Sequence, residues 1–147
     1  MYMKRIIYLL TLIICCCVTS VQAQKKMMSQ EEFRKRQQTF LTERAGLTQE
    51  EAQKFFPLYF ELQDKKHAYN KEAWQKQRKG KENGTTEAEY AKIVEDVLQI
   101  RITIDQMELE YVRKYKQFLS AKKIYELQKA EMKFHRELLK NTRNKNK

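Results

Sequence analysis

The chain is predicted to be all-α: a long antiparallel helical hairpin with short N-terminal and C-terminal helices packed across it. Three observations carry that prediction. Only three glycines and one proline occur in 147 residues, too few for the turns of a sheet protein. Ala, Leu, Glu, Lys, Gln and Arg dominate, the residues that lose least on entering a helix. Three Ser/Thr-x-x-Glu boxes, at Ser29 and Glu32, Thr48 and Glu51, and Thr86 and Glu89, each mark a helix start. In such a box the hydroxyl accepts from the amide three residues on, and the carboxylate accepts from the cap's own N–H.

The first 23 residues have the pattern of a secretory signal peptide. Lys4 and Arg5 form a basic n-region, Ile6 to Val18 is apolar but shorter than a comfortable membrane span, and Val21-Gln22-Ala23 offers a small-x-small cleavage site. Two alternatives are an uncleaved anchor and a lipid-bearing cysteine among Cys15, Cys16 and Cys17. The short run argues against the first, and Leu12-Ile13-Ile14, which lacks the small residues expected before such a cysteine, argues against the second. Cleavage after about Ala23 is therefore expected. The exported chain would have no cysteine, hence no disulfide, thiolate nucleophile or cysteine metal site.

A single all-helical domain is expected over residues 24–140. Ser29 opens its first helix, which carries Phe33, Gln37, Phe40, Leu41 and Arg44 on one side and stops at Gly46, a residue suited to a left-handed cap. Thr48 opens the second, predicted to run to about Lys79. Phe55, Tyr59, Leu62, Lys66, Tyr69 and Ala73 lie on one face of it, with Phe56, Phe60, Gln63, His67 and Trp74 on an adjacent stripe. Pro57 lies past its first turn, removes the helical donor to the Gln53 carbonyl, and predicts a kink. Gly80 to Thr85 is the clearest loop. Thr86 then opens a third helix to about Leu119, with a seam of Ile93, Val97, Ile100, Ile104, Met107, Tyr111 and Phe118 broken at Lys114. Ser120 caps a last helix with Ile124, Leu127, Phe134 and Leu138 inward and Tyr125, Met132 and Leu139 beside them. The basic stretch 141–147 is expected to be a disordered tail.

Without Lys4 and Arg5, 28 basic side chains face 19 acidic ones, a charge of +9. Such a charge favours anionic partners, but basic and acidic residues alternate along the helices, so solvated helix faces account for most of it. Export argues against nucleic acid. Membrane contact is at most peripheral, because the apolar seams are needed for helix pairing.

Catalytic and metal signals are poor. His67 and His135 stand alone and far apart in sequence. Met27 and Met28 could meet soft Cu(I), yet methionine is commonly filler. Ser29 and Ser120 are accounted for as caps, the pairs Glu50–Glu51 and Glu108–Glu110 fit helix-end and solvated-face roles, and no glycine-rich phosphate cradle exists. The sequence therefore predicts no enzyme, cofactor or metal. Fourteen aromatics in the exported chain exceed what one seam needs, and a domain of this size with an extended hairpin is expected to dimerise.

Leu47-Thr48-Gln49-Glu50-Glu51, followed by Phe55-Phe56-Pro57-Leu58-Tyr59, resembles the Spy/CpxP-like envelope proteins named for an LTxxQ motif. The branch it most resembles carries an FxPLY segment and is labelled as sensors of extracytoplasmic-function sigma factors. Leu119-Ser120-Ala121-Lys122-Lys123 is similar to the second motif copy. The likeness covers about Ser29 to Leu139. Glu51 and Lys123 stand where the two motif copies would have glutamine. The resemblance implies a periplasmic helical hairpin that pairs into a curved dimer and holds unfolded envelope proteins without ATP. A second implied function is an envelope-stress or heavy-metal sensor that binds a regulatory envelope protein. Phe33, Phe40, Phe56, Phe60 and Trp74, with Arg34 and Arg36, are the candidate partner-binding residues. Each of these aromatics also has a plain reading as hairpin core or dimer seam. Thr48, Glu51, Pro57, Thr86, Glu89 and Ser120 are the candidate structural residues.

Overall fold

The computed structural model describes residues 28–144, with side chains as far as Lys140. The signal-peptide reading of residues 1–23 and the end of the tail lie outside the described residues. Among the described residues there are four helices and no strand: α1 Gln30–Ala45, α2 Gln49–Lys79, α3 Glu87–Tyr115 and α4 Ala121–Asn144. The described residues divide between two units, the first ending at Phe33 and the second beginning at Arg34. In the first, Ser29 Oγ accepts from the Glu32 amide at 3.1 Å and starts α1. The second holds the rest of α1 and the other three helices.

The caps form where their chemistry predicts. Thr48 Oγ1 accepts from the Glu51 amide at 3.2 Å while Glu51 Oε2 accepts from the Thr48 amide at 2.8 Å. Thr86 and Glu89 repeat the arrangement at 3.3 and 2.7 Å, and Ser120 Oγ accepts from the Lys123 amide at 3.2 Å. Each satisfies amides that a helix start leaves without partners. At the end of α1, Gly46 takes φ +62°, where any Cβ would be strained, and the Leu47 amide reaches back to the Thr42 carbonyl at 3.1 Å.

Three boundaries and bends differ from, or refine, the sequence expectation. α2 continues unbroken through Pro57. Pro57 and Gln53 are both exposed, so solvent can reach the carbonyl that loses its donor. α3 ends at Tyr115, four residues before the predicted end. The amides of Phe118 and Leu119 both turn back to the Tyr115 carbonyl, at 3.1 and 2.8 Å. This tightened turn folds Leu119 inward to 5% exposure. α4 carries on through Asn144, into the stretch expected to be a disordered tail.

The core of the second unit gathers Leu41 and Ala45 of α1, Phe55, Phe56, Tyr59 and Leu62 of α2, Tyr111 and Tyr115 of α3, and Ile124, Leu127 and Ala130 of α4. It is aromatic at its centre: the Phe55 ring lies 4.8 Å from Tyr115 and 5.3 Å from Tyr59. Burying each such side chain contributes about 2 kcal/mol before conformational entropy is charged against it. The Lys114 break in the seam has a simple cause. Lys114 is exposed and its ammonium sits 4.2 Å over the Tyr111 ring, so its stem covers the seam while its charge stays wet.

Away from that core, among the described residues, α2 and α3 pack on each other. Val97, Ile100 and Ile104 are buried there, Lys66 pairs with Glu108, and Lys76 Nζ lies 2.9 Å from Asp96 Oδ2. A Cβ on Gly80 would come within 3.4 Å of Ile93 Cδ1. The paired positions climb along α2 as they descend along α3.

Candidate functional site

The seven candidate partner-binding residues fall into different environments. Phe56 is 3% exposed and belongs to the core, with its ring 5.2 Å from Phe55 and 5.8 Å from Phe60. Such a side chain has no surface to offer a partner. Its stripe is covered wherever the core helices meet, and only the farther part of the stripe stays open. Phe60 is half-buried under the Arg34 guanidinium, 5.1 Å from its ring centre, and Arg34 is held by Asp64 at 2.5 Å. Phe40 is half-buried, 5.4 Å from Phe134, with Arg44 over its ring at 5.2 Å. Phe33 is half-buried and Arg36 exposed. Trp74, on the same stripe as Phe56 but three turns and more beyond the core, is 55% exposed, with Arg78 stacked over its ring at 4.9 Å.

A larger apolar surface lies on α3. Tyr90, Val94, Leu98, Ile102 and Leu109 are 44%, 59%, 50%, 48% and 52% exposed. Their spacings of four, four, four and seven keep them within about a third of the helix circumference. The signal was present in the sequence, since Val94 and Leu98 each follow a seam residue by one position. It is masked because Ile93 and Val97 by themselves complete one apolar face of the helix. On α4, Tyr125, Met132 and Leu139 also stand outward, at 59%, 58% and 73% exposure, on one line at spacing seven.

Buried polar groups form a second feature. Gln37 is 3% exposed and its Nε2 donates to Tyr59 Oη at 2.7 Å. Tyr59 donates to Glu131 Oε1 at 2.9 Å, and Gln63 Nε2 donates to the same oxygen at 2.9 Å. This network ties α1, α2 and α4 together. Burial first, then the Glu131 carboxylate, hold the Tyr59 hydroxyl far above its ordinary pKa. The two positions that depart from the glutamine of the motif also meet: Lys123 Nζ lies 2.5 Å from Glu51 Oε2. That bond, followed by the Thr48 amide, lowers the Glu51 pKa.

His67 is exposed, and His135 Nε2 lies 3.9 Å from Glu131 Oε1. Among the described residues no group of three or more His, Cys, Asp or Glu side chains gathers where a metal ion could be held, and no helix is long and apolar enough to cross a membrane. Among the described residues the arrangement offers exposed apolar surface for contact. Comparison with protein-family models, with curated proteins and with solved structures finds no significant match.

Proposed function

We propose that the protein is a periplasmic, ATP-independent chaperone-like binder of unfolded envelope proteins, of the Spy/CpxP type, built as an antiparallel α2–α3 hairpin that pairs into a curved dimer. The observation that carries this reading is the exposure of Trp74 on α2 and of Tyr90, Val94 and Leu98 on α3. Trp74 follows Ala73 by one position, as Val94 follows Ile93 and Leu98 follows Val97. In an antiparallel pair with facing seams, positions one residue past the seam point to the same side on both helices. These four side chains then share one side of the hairpin, next to Arg78, which stacks on Trp74. Scattered exposed apolar residues need no explanation, but a contiguous patch bordered by charge marks a contact surface. Apolar side chains give sequence-tolerant contact, and a net positive charge draws in acidic unfolded segments. Ile102 and Leu109, farther round α3, are available to the dimer.

The test is an aggregation assay on the chain from Gln24 to Lys147, without nucleotide and at near stoichiometric ratio to an unfolded client. A clear delay in light scattering is expected. The triple variant Trp74→Ser, Val94→Ser, Leu98→Ser should lose most of that delay while keeping its helical circular dichroism. No delay by the unaltered chain removes the proposal. A saturable one-to-one complex with a single regulatory envelope protein, in place of general client binding, would assign the sensor role.

A further inference from the structure

A crevice of about 80 Å³ opens within the second unit between α2, α3 and α4. Its inner wall is apolar, formed by buried Phe55, Leu62, Ile124 and Leu127, and its rim is polar, with Gln63, Lys66, Glu108, Gln128 and Glu131. Tyr115 lines it too. Tyr115 is 6% exposed, and its hydroxyl is buried with no hydrogen-bond partner among the described residues. Every other buried polar side chain of this neighbourhood is satisfied: Gln37 by Tyr59, and Tyr59 by Glu131. A buried hydroxyl left unmatched costs stability and so points to something the crevice is shaped to receive. The volume is several times what one water needs and about half that of an engineered protein cavity able to hold benzene.

The charges on the rim select the chemistry. Lys66 is committed to Glu108, which leaves the Glu131 carboxylate as the net charge facing the crevice. The Tyr115 hydroxyl is raised in pKa by its burial first and then by Glu131, Tyr111, Glu108 and Glu61, so it lies in a negative field although the chain as a whole is cationic. An anion would be repelled there. A neutral alcohol could meet Tyr115 but would gain nothing from the carboxylate.

We propose that this crevice binds a small primary alkylammonium, with its ammonium hydrogens shared between the Tyr115 hydroxyl and the Glu131 carboxylate and its alkyl chain against Phe55, Leu62, Ile124 and Leu127. An ammonium has three donors and the rim supplies acceptors, so the head is matched on entry, while a chain of about four carbons fits the apolar wall. The site is separate from the open face of Trp74 and α3, and it stands or falls independently of the holding function.

Calorimetric titration and thermal shift on the chain from Gln24 to Lys147, with n-butylammonium chloride as the probe, test the assignment. Saturable binding and a rise in melting temperature are expected, with n-butanol and n-butyrate each weaker by about ten-fold or more, the loss of one charge-assisted contact. Tyr115→Phe keeps the core shape and should weaken n-butylammonium by about ten-fold. In the absence of ligand it should melt higher than the parent, because an unmatched hydroxyl has gone. Glu131→Gln should abolish the preference for the ammonium over the alcohol. Absence of saturable n-butylammonium binding, equal binding of n-butanol, or unchanged affinity in Tyr115→Phe would each overturn it, with water as the only occupant.

Discussion

Leu41 has no exposed surface at all, although α1 is the shortest helix and its sequence shows little segregation of polar from apolar residues. Its position in the core cluster with Phe55, Tyr59 and Leu127 means that truncation would leave a cavity with little freedom to collapse. Leu41→Ala should cost about 3 kcal/mol, read as a lower urea midpoint at unchanged slope. Phe56 and Trp74 make the complementary point. They occupy one helical stripe and have similar chemistry, yet one is 3% and the other 55% exposed. Periodicity assigns a residue to a face of its own helix. Whether that face is covered depends on other helices.

At the level of the element, the caps were legible because they are local: hydroxyl, amide and carboxylate all lie within four residues. The same holds for Gly46, where backbone conformation is set by the absence of a Cβ. The Glu51–Lys123 bond is the opposite case, joining the start of α2 to the first turn of α4 across 72 positions, and nothing in either local stretch announces the other. Glu51 serves both its own cap and Lys123. Glu51→Lys should therefore lower the melting temperature by removing the cap and placing two cations together. Adding Lys123→Glu should bring back only part of the loss, since the exchanged pair restores the attraction but not the cap. Full recovery would show that the cap contributes nothing; no recovery would show that the pair does not form. The ion pairs made within α2, such as Lys54–Glu50 and Lys65–Glu61, are exposed neighbours one turn apart and contribute little to the fold.

Across the second unit, titration should define two edges of stability. Lys123 and the Thr48 amide lower the pKa of Glu51, Lys65 lowers that of Glu61, the Thr86 amide lowers that of Glu89, and Lys76 lowers that of Asp96. A lowered carboxylate binds fewer protons folded than unfolded, so its stabilisation is present above the ordinary carboxylate range and is lost as pH falls through it. Tyr59 and Tyr115 are raised, chiefly by burial. Above the ordinary tyrosine value the unfolded chain gives up these protons first, and stability falls again. Urea midpoints should thus be flat around neutrality and drop below about pH 4 and above about pH 10. A midpoint that rises on the alkaline side would contradict the burial of both phenols.

The amino-acid sequence alone determined the helical class, the starts of the helices and the seam residues of α2 and α3, because caps and 3.6-residue periodicity act within a few turns of chain. Tertiary structure decided which apolar stripes close and which stay open. It withdrew Phe56 from any surface, left Trp74 and the outer row of α3 uncovered, and shortened α3 to turn Leu119 inward. It also set the unmatched Tyr115 hydroxyl beside an apolar wall and a carboxylate rim. Those outcomes depend on surfaces from three helices meeting at one place, and the pattern of a single helix carries no record of what lies across from it.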